Sequence, residues 1–133
     1  MSLDDRIAEP AVMLPFGRDP GVPRAVRSAL QPLFAVDPAL AEDVQLVASE
    51  LVSNVVLHTQ GGGCLVVWAN EHIRIEVHDE DPRLPVLHEV PKPSLTGRGL
   101  SIVSGIADRW GVEQRDDGKK LWAEFHRQLE RGA

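Results

Sequence analysis

Between Asp37–Pro38 and the glycines at 61–63 the chain carries one uninterrupted helical pattern, and whatever else the protein builds must pack around it. Asp37 is a capping residue and Pro38 suits a first helical turn, so the helix starts there. It should run to about His58 before the glycine run stops it. At 100° per residue, Val47, Ala48, Leu51, Val52, Val55 and Val56 fill one broad apolar arc. Glu50, Asn54 and His58 recur at four-residue spacing along its edge and drift toward the apolar side. Asn54 should therefore be at least half-buried, where an amide without partners costs about 1–3 kcal/mol. Two readings of this line stay open. In one, Asn54 bonds a loop carbonyl and Glu50 solvates the helix edge. In the other, the amide oxygen ligates a hard cation and Glu50 positions or deprotonates a nucleophile.

The rest of the chain supplies strands and two further helices. PAVMLPFG (10–17) reads as a first strand, weakened by Pro15. VPRAVRSALQPLF (22–34) places Val22, Val26, Ala29, Leu30 and Leu33 on one helical stripe, with Arg24 and Arg27 facing water. CLVVWA (64–69) and HIRIEVH (72–78) form a hairpin around Asn70–Glu71. In its second strand Ile73, Ile75 and Val77 alternate with His72, Arg74, Glu76 and His78, which predicts one buried and one wet face. Residues 80–96, with prolines at 82, 85, 91 and 93, read as a long loop. LSIVSGIADRW repeats Leu100, Val103, Ala107 and Trp110 at helical spacing, and a second hairpin closes around Asp117–Gly118. The order β-α-α-β-β-loop-α-β-β predicts an α+β two-layer sandwich with a largely antiparallel sheet.

Composition narrows the function. A chain of 133 residues suits a single domain, here taken as 1–133. A net charge of −6 argues against nucleic-acid binding, which needs a basic face. The single cysteine, Cys64, excludes an intrachain disulfide and fits a reducing compartment. No run is apolar enough to span a bilayer and no signal-peptide core is present, so a cytoplasmic protein with no membrane partner is expected. The five histidines include no Glu-x-x-His pair and do not suggest zinc.

Two more segments bear on Asn54. VHDEDPR (77–83) ends a strand in Asp79, either a turn-starting Asp or a carboxylate able to accept from an exocyclic amine. TGRGLSIV (96–103) sets two glycines around Arg98 at a helix entry, either a flexible loop or a place where bare N–H groups hold phosphate.

In that order, Glu-x-x-x-Asn on a helix, a hairpin ending in Asp, a long loop and Gly-x-Gly opening a helix, the chain resembles the GHKL superfamily of histidine-kinase-like ATPases. ELVSNVVLH, GRGLSIV and ADRWGV resemble its anti-sigma-factor serine-kinase, RsbW-like branch, over about residues 22–126. The resemblance implies a Bergerat-type sandwich, a mixed, mostly antiparallel sheet with helices on one face, binding ATP and Mg2+. It implies Asn54 as the metal ligand, Glu50 as the base and Asp79 as the adenine reader. Gly97 and Gly99 become the phosphate cradle, Arg98 a side chain approaching a phosphate and Leu100 a further cofactor-binding residue, with His58 a brace near the phosphates and residues 80–96 a lid. It further implies a serine/threonine-protein kinase acting on an anti-sigma-factor antagonist while holding a sigma factor, and leaves a homodimer open. One departure stands out. Where the family has Asp-x-Gly-x-Gly, this chain has Asp79-Glu80-Asp81-Pro82-Arg83. Lost glycines hinder close backbone approach to a base, which leaves an alternative: a catalytically weak or inactive protein-binding module.

Overall fold

A computed structural model of the chain describes residues 9–34, 37–58, 62–79, 95–115 and 118–126. The elements follow the expected order: β1 (Val12–Phe16), α1 (Val22–Leu30), a 3-10 turn (Gln31–Phe34), α2 (Pro38–His58), β2 (Gly63–Ala69), β3 (Ile73–Asp79), α3 (Leu95–Ile106), β4 (Arg109–Arg115) and β5 (Gly118–Phe125). The strands form one sheet in the order β1-β2-β3-β5-β4, and all four ladders are antiparallel. Pro15 is accommodated because β1 is an edge strand, where a missing N–H interrupts no second ladder.

The helices cover one sheet face. α2 packs against α1 on one side and α3 on the other and lies over β3 and β5. Burial on several sides explains its composition: Leu40, Val44, Val47, Ala48, Val52 and Val55 have no exposed surface. Below them Leu65, Val67, Ile73, Ile75, Val77, Leu121, Ala123 and Phe125 complete the core. Each Val, Leu, Ile or Phe side chain among them contributes about 1.5–3 kcal/mol of transfer free energy. The N-cap is made as expected, with Leu40 N–H donating to Asp37 Oδ1 at 3.1 Å. In α1 the buried stripe is narrower than expected. Val22, Val26 and Leu30 are buried while Ala29 is exposed. Pro32 helps convert the end of that helix to a 3-10 turn, since it has no N–H to continue the α-helical ladder.

The third helix differs from expectation at both ends. It begins at Leu95, so Gly97–Leu100 lie within its first turns rather than ahead of it. It stops at Ile106, and Trp110 belongs to β4 opposite Ala123. The chain is drawn off the helix where Asp108 N–H bonds the Glu124 carbonyl, entering the sheet. Trp110 still packs on the core from its strand, so its apolar spacing fits either period. Of the lid expected at 80–96, residues 80–94 lie outside the described residues, and Leu95 and Thr96 belong to α3.

The sheet face away from the helices departs most from the sequence reading. Arg74 and Glu76, expected to be wet, are buried along with Lys120 and Glu124. Register puts Arg74 opposite Glu124 and Glu76 opposite Trp122, with Trp68 beside Arg74. Arg74 Nε donates to Glu76 Oε2 at 2.7 Å, and its Nη1 donates to Glu124 Oε2 at 2.6 Å. Its guanidinium sits 4.7 Å from the Trp122 ring centroid, within cation–π range. Lys120 lies 3.1 Å from Glu113 and 3.7 Å from Glu76. Gly111, paired with Trp122, leaves room for the indole, since a Cβ there would stand 2.9 Å from it. Opposite charges facing one another across antiparallel strands are mutually stabilising, and pairing them is what makes their burial tolerable.

Candidate functional site

α2 carries the first part of the site. Asn54, in its last turns, is 4% exposed, and its Oδ1 is buried with no hydrogen-bond partner among the described residues. Native proteins rarely leave such an acceptor empty. A hard cation takes amide oxygens of this kind, so the residue fits the metal-ligand expectation. Glu50 sits one turn earlier and is partly buried. Burial pushes its carboxyl above the ordinary range, against the opposing charge of Arg27 on α1. A carboxylate raised in this way is a better proton acceptor than a solvated one. His58 ends the helix; its side chain is outside the described residues.

α3 packs against α2, with Val103 in the shared core, and Gly97–Leu100 lie in its first turns. Free N–H groups at the start of a helix attract anions. The side chains of Arg98 and Leu100 are outside the described residues.

Asp79 ends β3 on the helix-covered face, following the alternation of Ile73, Ile75 and Val77. Its carboxylate is enclosed, with Oδ2 accepting from Lys119 Nζ at 2.6 Å. The two side chains are 0% and 2% exposed. They are direct cross-strand partners in the β3–β5 ladder, so backbone register sets the pair. Lys119 is the residue near this site that the sequence reading missed. No local signal marked it: Lys119 lies at the hairpin end of β5, and only the β3–β5 register sets it level with the strand-ending Asp79.

On the other face, burial alone would raise Glu76. Hydrogen bonds from His78 and Arg74 and the charge of Lys120 outweigh it and hold the carboxyl at about 2. Glu124 is likewise lowered: burial acts upward, while bonds to His126 and Arg74 act downward. A cavity of about 390 Å³ opens among Pro15, Phe16, Gly62, Gly63, Cys64 and His78, and is lined by neither Asn54 nor Glu50.

Comparison with known proteins agrees with this architecture. An uncharacterized protein of Streptomyces coelicolor is 38% identical over 85 residues, covering 57% of this chain and 78% of that protein. The crystal structure of the RsbU and RsbW domains of Rv1364c from Mycobacterium tuberculosis superposes with a TM-score of 0.68 at 17% identity, over 92% of this chain. This chain spans only 33% of that one. The Acinetobacter baumannii histidine kinase AdeS gives a TM-score of 0.53 at 11% identity, over 96% of this chain and 72% of its own. These structural likenesses speak to the fold. The histidine kinase-like ATPase domain family matches residues 19–125, spanning α1 through β5, and the chain belongs to that family.

Proposed function

We propose that this protein is an ATP·Mg2+-binding regulator of the RsbW-like kind. It transfers a phosphoryl group to a serine or threonine of an anti-sigma-factor antagonist and also sequesters a sigma factor. The observation that carries the reading is the empty, buried Oδ1 of Asn54. When bound, magnesium neutralises the phosphate charge and orients the leaving group. Asn54 supplies one oxygen to that ion. The free N–H groups of the first turn of α3, which include that of Gly97, receive the phosphates, with Arg98, Gly99 and Leu100 following directly, and His58 at the end of α2 is the brace. Glu50, whose carboxylate burial makes more basic than a solvated one, takes the proton of the attacking hydroxyl. Because phosphoryl transfer asks mainly for positioning and charge neutralisation, this small set suffices. The RsbW-domain likeness supports a regulatory protein as partner.

The Asp79–Lys119 pair favours a second reading, a module of the same fold that binds a protein partner and has little or no kinase activity. Labelled ATP with magnesium and candidate antagonist proteins separates the two. Transfer that Asn54→Ala abolishes supports the kinase. Absence of transfer, with Asn54→Ala matching the wild type in nucleotide titrations, rejects it.

A further inference from the structure

A carboxylate that reads a purine must have an oxygen accessible to the exocyclic amine. Asp79 does not present one: its side chain has no exposed surface, and a lysine ammonium lies 2.6 Å from Oδ2. This bond joins two full charges, which makes it roughly twice as strong as one from a neutral amine. A base displacing Lys119 from Oδ2 also gives up a charge-assisted bond buried on both sides, a larger loss than one neutral hydrogen bond returns. Nor does a flexible arm make the pair, which is the terminal rung of the β3–β5 ladder and is fixed when the sheet forms. The following residues, Glu80-Asp81-Pro82, contain no glycine to let the backbone approach a base instead.

We infer that Lys119 occupies the base-reading position of the site from within. The protein then takes nucleoside triphosphates by phosphate and metal alone, without choosing among the bases. Lys119 is thus a specificity-determining residue that removes base selectivity. The inference rests on the phosphate and metal site proposed above and concerns its far end.

Calorimetric titration of the full chain with ATP, GTP, CTP, UTP and inorganic triphosphate, each with magnesium, tests it. The four nucleotides should bind within about threefold of one another, a span of under about 0.7 kcal/mol. In Lys119→Met, which takes the ammonium off Asp79 Oδ2, ATP should tighten by about fivefold or more relative to CTP and UTP. A wild-type preference for any one base beyond about tenfold overturns the inference and leaves the phosphate site standing. A folded Lys119→Met protein that stays indifferent to the base also overturns it. If the wild type binds neither triphosphate nor any nucleotide, the phosphate site itself is refuted and this inference with it. Because the base comparison is made on the wild type, it decides the matter even where the variant fails to fold.

Discussion

Replacing Arg74 with methionine removes the hub of the ion network on the open sheet face while keeping an aliphatic side chain against Trp122. Glu76 and Glu124 are then left 5% and 4% exposed without the guanidinium that holds them at 2.7 and 2.6 Å. Breaking a buried pair from one side costs about 3–5 kcal/mol, because the remaining charge keeps its desolvation penalty. For 133 residues the unfolding entropy is about 0.28 kcal/mol per degree, so Tm should fall by about 10–18 °C at neutral pH. The pH dependence carries the diagnostic sign. Glu76 is depressed from 4.5 to about 2 in the folded protein, so its stabilisation is full above 4.5 and lost as pH falls through about 2. Without Arg74 that depression shrinks, so the wild-type advantage should narrow steadily from pH 5 down to about pH 2. Urea denaturation of both proteins at several pH values measures it. A loss below about 1 kcal/mol at neutral pH, or a loss independent of pH, refutes the claim that these charges stabilise one another. A triple variant, Arg74→Met with Glu76→Gln and Glu124→Gln, should recover much of the loss, since it strands no charge.

Other substitutions probe the frame around the site. Asp37→Ala removes the acceptor for Leu40 N–H and should lower stability by about 1 kcal/mol in chemical denaturation. Gly63→Ala drives a Cβ into the His78 carbonyl, which is backbone and yields poorly; a loss of about 1–3 kcal/mol is expected from the same measurement. Glu50 has the opposite sign to Glu76. Its pKa is raised, so its contribution is favourable below the ordinary glutamate value and is lost as pH climbs through the folded one. Glu50→Gln should therefore raise the melting temperature at neutral pH, lose that advantage in acid, and slow phosphoryl transfer, as a residue kept for chemistry at the expense of stability would.

Much of this was legible along the chain because it depends on local chemistry. The capping Asp37 marks where α2 starts, and the apolar arc of Val47–Val56 marks its buried side, because both act within a few residues. Asn54 was readable as buried since periodicity alone sets its flank. The wet face assigned to Arg74 and Glu76 was not, because alternation tells which residues share a face but not whether partners there neutralise them. A helical period carried through Trp110 misled for a related reason: its apolar side chain meets the core from β4 as well as it would from a helix.

By itself, then, the sequence determined the elements apart from the bounds of α3, their order and the line of polar residues on the central helix, all matters of near-neighbour spacing, while its motifs carried the resemblance to the family. Only the tertiary structure decided that β5 inserts between β3 and β4. That placement sets Lys119 against Asp79, and Glu124 and Lys120 among Arg74 and Glu76. Residues some 40 to 50 positions apart become neighbours through backbone register across a ladder. Register is a property of the assembled sheet, which no stretch of one strand contains.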